Sequence, residues 1–143
     1  MKAACALLLA CLAAVLAGCG GTSSRTESAA AFMRRITTEF SRGQAGRLWN
    51  DLVPAEQAIV TRTRYLACRR NGGFRLRSFK VLETYDENVA VGGKETPSTA
   101  VTVQVTSDDG VTTATMHAIS VDGRWRWVMQ PSDLAAYAAG RCP

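Results

Sequence analysis

The chain has 143 residues, 47% of them hydrophobic, with 17 basic against 12 acidic side chains and a formal charge of +5. That length suits one domain with an independent core, and the mild basic excess carries no nucleic-acid signature. One histidine, no His-Glu-x-x-His, no phosphate-cradling Gly-rich loop and no Gly-x-Ser-x-Gly exclude the common metal, nucleotide and serine-hydrolase signatures.

The first predicted element is a targeting segment. Met1-Lys2 supplies one positive charge, and Ala3 to Ala17 is an apolar run without a charge. The run is shorter than the roughly 20 residues a spanning helix needs, and it has the proportions of a signal-peptide core. It closes with Leu16-Ala17-Gly18-Cys19. This segment resembles the lipobox of bacterial lipoproteins, in which an invariant cysteine is lipidated before the signal is removed. The resemblance implies a signal peptide over 1–18, cleavage between Gly18 and Cys19, and a palmitate-type lipid anchor on Cys19. The protein is then expected on the extracytoplasmic face of a cell membrane. Ordinary secretion, with cleavage near Ala17 or Gly18, is the alternative.

Cleavage leaves 125 residues and removes only Lys2 from the charge, for a formal +4. Cys5 and Cys11 leave with the signal and Cys19 is taken by lipid, so Cys68 and Cys142 remain. An export compartment permits disulfides, and a Cys68–Cys142 bridge is favoured over two free thiols. Closing a loop of about 75 residues stabilises by roughly 4 kcal/mol in the chain-entropy model. Two cysteines and one histidine do not make a zinc set, and neither metal nor cofactor is expected.

Residues 19–28 read as the lipidated cysteine and a flexible tether. Gly20 to Ser28 contains no apolar residue, and nine such residues reach about 15–18 Å. The domain, 29–143, is thereby expected to stay close to the bilayer. Ala29, Phe32, Met33, Ile36 and Phe40 recur at helical spacing, with Thr26 or Ser28 as cap and Gly43 as terminator. A second helix carries Leu48, Trp49 and Leu52 and stops at Pro54. A third starts there, turns Ile59, Thr63, Leu66 and Cys68 inward, and ends at Arg69-Arg70 before Asn71-Gly72-Gly73.

After Gly73 the period falls to two. Phe74 and Leu76 alternate with Arg75 and Arg77, then Phe79 and Val81 follow on the opposite parity, so a bulge is predicted near Ser78. Tyr85 to Asn88 reads as a turn, Val89–Val91 as a short strand and Gly92 to Ser98 as a loop. Val101, Val103 and Val105 mark the next strand, Asp108-Asp109-Gly110 a turn, and Val111 to Val121 another strand. Asp122-Gly123 is a type I′ hairpin signal leading into Arg124-Trp125-Arg126-Trp127-Val128. Ser132 is expected to cap a short terminal helix through Tyr137, closed by Gly140.

Helices followed by an antiparallel sheet of about four strands and a short C-terminal helix make an α+β domain. The helix-then-strand order, the Phe74–Val81 bend and the Val121–Val128 hairpin resemble the NTF2-like (cystatin-like superfamily) lipoproteins. That resemblance covers nearly all of 28–143. It implies a cone whose open end forms an apolar pocket between helices and a concave sheet, in a family of isomerases, dehydratases and non-catalytic binding modules.

Trp49, Tyr65, Phe79, His117, Trp125 and Trp127 are the candidate pocket residues. His117, on the parity of Thr115 and Ile119, is the candidate general base, weighed against a structural strand histidine. An isomerase site would set a carboxylate opposite a tyrosine donor. Tyr65, Tyr85, Tyr137, Asp51 and Glu83 are available, and no spacing pairs them. Arg62, Arg64, Arg69, Arg70, Arg75 and Arg77 form a basic cluster, read either as one face toward anionic lipid or wall polymer or as solvated surface. The expectation is a membrane-anchored, non-catalytic module for a small apolar ligand or a cell-envelope partner. An envelope enzyme using His117 or a carboxylate is the alternative.

Overall fold

The computed structural model describes residues 27–71 and 76–143. The signal segment, Cys19 and most of the tether lie outside them, as do Gly72, Gly73, Phe74 and Arg75. In chain order the elements are helices α1 (Ala29–Ser41), α2 (Ala45–Asn50), α3 (Pro54–Gln57) and α4 (Arg62–Asn71). Strands β1 (Leu76–Val91), β2 (Lys94–Ser107), β3 (Gly110–Val121) and β4 (Arg124–Val128) follow, then helix α5 (Pro131–Ala138). The architecture is α+β, with one open antiparallel sheet in the order β1-β2-β3-β4. No helix among the described residues is long and apolar enough to cross a membrane.

α1 forms where the helical period required it. The Ser28 hydroxyl accepts from Ala31 N–H at 3.2 Å, and Phe32, Met33 and Ile36 are fully buried. Gly43 leaves the helix at φ +65°, a conformation that costs a side chain without a Cβ little.

The expected third helix is two helices. The Pro54–Gln57 turn stops because Val60 turns into the core, fully buried, while Ile59 is left exposed. Trp49 locks that break from outside: its indole N–H donates to Val60 O at 2.8 Å, and Gln57 donates to Trp49 O at 2.7 Å. Thr61 then starts α4, its hydroxyl accepting from Arg64 N–H at 3.4 Å.

Three element boundaries also differ from the sequence reading. Tyr85 to Asn88 is not a turn, because β1 runs on to Val91, and the Gly92 to Ser98 loop is mostly β2. Gly92 and Gly93, at φ +59° and +78°, reverse the chain alone, as a two-residue hairpin requires. Pro97 is tolerated because β2 there pairs only with β1, and pairing with β3 begins at Thr99. Ser132 does not cap α5: Gln130 holds the cap position without a side-chain bond, and Pro131 opens the helix.

The bulge near Ser78 is present as a register shift between Leu76 and Ser78. It keeps Leu76, Phe79 and Val81 on one face, opposite Ser107, Val105 and Val103. A second shift between Val81 and Glu83 throws Leu82 out to solvent.

Side chains alternate across a sheet, and directly paired residues share a face. Val101, Val103, Val105, Ala114, Met116, Ala118, Trp125 and Trp127 therefore face α1, α2 and α4 and build the main core with Phe32, Met33, Ile36, Leu48 and Leu52. The other face carries a smaller cluster of Val53, Ile119 and Val128, flanked by Val89, Val91 and Val121.

β4 would be a bare edge but for residues 51–53. Trp127 N–H donates to Asp51 O at 3.0 Å and Val53 N–H to Trp127 O at 3.1 Å, a short parallel pairing through Leu52. The ladder cannot go further, since Val53 O already accepts from Glu56 and Gln57 of α3. The Glu56 carboxylate takes the next donor, Met129 N–H, at 2.9 Å. This explains a carboxylate that is 2% exposed in the core.

Candidate functional site

Helices α1, α4 and α5 do not close completely on the sheet. Between them lies a half-open, mainly apolar cavity of about 180 Å³. Its floor is Trp127, Met116, Ala114 and Val105 of the sheet. Phe40 of α1, Tyr65 and Arg69 of α4, and Met129, Asp133 and Tyr137 from the C-terminal segment make its walls, with Pro143 at the chain end.

Each wall is fixed by a specific contact. The Trp127 indole N–H donates to Leu48 O at 2.7 Å, and the Phe40 ring stands edge-on to Trp127 with centroids 5.6 Å apart. The Arg69 guanidinium stacks over Phe40 at 4.7 Å from the ring centre. Cys68 and Cys142 lie at disulfide distance, with Cα atoms 5.3 Å apart. That bridge ties the chain end to α4, and so holds α5 over the cavity.

The two elements it ties each present a tyrosine. Tyr65 and Tyr137 are 2% and 3% exposed, with ring centroids 6.0 Å apart. Neither hydroxyl has a hydrogen-bond partner among the described residues. Burial pushes both phenols above their ordinary value, with Arg69 pulling them down and Asp133 pushing them up. Both are therefore neutral hydrogen-bond donors at physiological pH. Arg69 makes no ion pair among the described residues, and Asp133 accepts only from the Ser132 hydroxyl, at 3.4 Å.

Of the six candidate residues, Tyr65 and Trp127 line the cavity. Trp49 is spent on the α3–α4 break. Phe79 faces the helices, half-buried, outside the lining. Trp125 packs where the tether meets the domain, donating to Glu27 O. His117 is on the opposite face of the sheet, where Nε2 meets Glu87 Oε1 at 2.7 Å, and the Glu87 carbonyl accepts from Ser98 at 2.8 Å. It has no access to the cavity through the sheet. Of the available carboxylates, Asp51 is occupied by Arg35 at 2.6 Å, and Glu83 lies exposed on β1.

The described arginines of the cluster divide: Arg69 and Arg70 line a second pocket with Gly46, which Arg62 approaches, whereas Arg64 and Arg77 are engaged elsewhere. Arg69 turns to Phe40, Arg62 approaches Gly46, Arg64 has a buried Nε beside the chain end near Gly140, and Arg77 pairs with Asp108. Arg75 lies outside the described residues.

The sequence offered Tyr137 as an available tyrosine donor and Arg69 as part of the basic cluster, but neither they nor Met116 and Met129 stood among the pocket candidates. One signal was available: Tyr65 stands one helical turn before Cys68, and Tyr137 precedes Cys142 by five positions. A bridge between the cysteines brings the two tyrosines together. No protein-family model and no curated protein matches this chain.

Proposed function

We propose that the protein is a lipid-anchored, extracytoplasmic binding module, an NTF2-like cone whose cavity takes a small, mainly apolar ligand. The observation that carries this reading is the cavity floored by Trp127 and Met116 and covered by a disulfide-tied α5. Its volume lies below the roughly 300–1,000 Å³ of drug-sized sites. The ligand is accordingly small, or only one end of it enters. Binding is favoured over turnover because His117 is engaged with Glu87 behind the sheet. Asp133 is the one acidic side chain lining the cavity among the described residues.

The anchor on Cys19 rests on the lipobox resemblance, and the tether enters the domain at Glu27, beside Trp125 and Arg35. Native mass spectrometry of protein purified from its own membrane tests the ligand: a retained small molecule appears as added mass released on unfolding. The bare polypeptide plus lipid would leave the cavity without an occupant. Cys19→Ser tests the anchor, with release from the membrane or a block in processing expected. Unchanged membrane retention contradicts lipidation at Cys19.

A further inference from the structure

Most polar groups buried in a folded protein have partners, because an unpaired one forfeits its hydration. Tyr65 and Tyr137 break this rule together, on two elements tied by one disulfide, in the wall of one cavity. Phenylalanine would fill the same space without the cost. Beside them stands Arg69, a guanidinium held over Phe40 and without a carboxylate partner among the described residues. Two neutral donors and one fixed cation in the wall of a mainly apolar cavity, which Thr37, Gln130 and Asp133 also line, describe a place for an acceptor of negative charge.

We propose that the cavity recognises a small carboxylic acid, its carboxylate taken by the Tyr65 and Tyr137 hydroxyls with Arg69 supplying the countercharge, and its hydrocarbon lying on Trp127, Met116 and Val105. This rests on the reading of the cavity as a ligand site and names the ligand's class. A carboxylate suits the group because its two oxygens accept up to about four hydrogen bonds, so one ligand group serves both hydroxyls and the guanidinium. It is also flat and singly charged. A phosphate is bulkier and would bring more charge against Asp133, which lines the same cavity. The half-open form lets a longer chain project to solvent, so only the carboxyl-bearing end need be enclosed.

Calorimetric titration of the whole protein with octanoate and, separately, octanol separates head recognition from apolar fit. Octanoate is expected to bind one-to-one and more tightly than octanol. Tyr65→Phe and Tyr137→Phe should each weaken octanoate about ten-fold, the scale of one hydrogen bond to a charged group. Octanol affinity should stay within about three-fold, since the rings and the apolar floor are kept. Arg69→Gln should weaken octanoate alone. Equal losses for both probes in the tyrosine variants would overturn carboxylate recognition and leave an apolar site whose shape the tyrosines set. Undiminished octanoate binding in the Tyr65→Phe/Tyr137→Phe double variant would also overturn it. If neither probe binds the unmodified protein, the small-ligand reading itself fails. Circular dichroism of each variant confirms that the fold compared is the same.

Discussion

The two faces of the sheet treat polar groups in opposite ways. On the face away from the helices, His117 is matched to Glu87, Ser98 to the Glu87 carbonyl, and Thr102 to Thr115 at 3.5 Å. Solvent is also close, and the buried atom left unpaired on that face, Arg126 Nε, belongs to a guanidinium that donates through Nη1 to Asn50 O. On the helix face the sheet packs against α1, α4 and α5 around a half-open apolar cavity, and the Tyr65 and Tyr137 hydroxyls remain unpaired, their ring centroids 6.0 Å apart. Unpaired groups cost most where the surroundings are least polar. The contrast places the feature that needs explaining in the cavity, although the only histidine drew attention to the other face.

The largest test of this contrast is to untie the helix face. Replacing Cys68 and Cys142 with alanine removes a link across 74 positions and should lower stability by about 4 kcal/mol in denaturant unfolding. The same pair holds α5 over the cavity, so octanoate binding should fall with it. An equal stability with intact binding would detach the bridge from the site.

A smaller effect comes from Glu56, the buried carboxylate that completes the β4 edge. Burial pushes it up from 4.5 to about 7, against the opposing pull of the Met129 N–H bond. Between those values the folded state holds the proton more tightly than the unfolded chain does. Its contribution is therefore fully present below about pH 4.5 and is lost as pH rises through 7, a fall of about 3 kcal/mol. Glu56→Gln keeps an acceptor for Met129 N–H without an ionisable group. Urea unfolding from pH 4 to 8 should show the slope in the parent protein and its absence in the variant. Retention of the full slope would assign it to other groups.

The smallest effect is expected on the open face. His117→Ala breaks a half-exposed pair and should change stability by no more than about 0.5 kcal/mol, with ligand affinity unaltered. A loss of octanoate binding in this variant would tie the two faces together and undo the contrast.

How much of this was legible in the sequence depends on what carried the signal. Local chemistry was readable: the Ser28 cap, the Ser78 bulge and the Asp122-Gly123 hairpin at φ +51° and +74°; the Cys68–Cys142 pair, 74 positions apart, was readable only by counting cysteines. The order of elements followed from them. Other non-local pairing was not readable. Nothing near Val60 announces that Trp49 will take its carbonyl, and nothing near Glu56 announces that β4 will lack a partner at Met129. Tyr85 to Asn88 looked like a turn because it is polar, yet pairing with Pro97 to Ala100 holds it extended. The cavity was half legible for the same reason. Trp127 and Tyr65 stood out by type, whereas Tyr137 and Arg69 gain meaning only once the disulfide folds α5 onto α4.

The most direct measurement is the thermal unfolding of the Tyr65→Phe/Tyr137→Phe double variant beside the parent protein, each with and without octanoate. Removing two unpaired buried hydroxyls should leave the ligand-free midpoint unchanged or raise it, by an amount equivalent to about 1 kcal/mol or more. Octanoate should raise the midpoint of the parent protein and barely move that of the variant. A variant that melts lower without ligand and gains as much from octanoate as the parent would contradict the account, because the hydroxyls would then serve the fold and not a ligand.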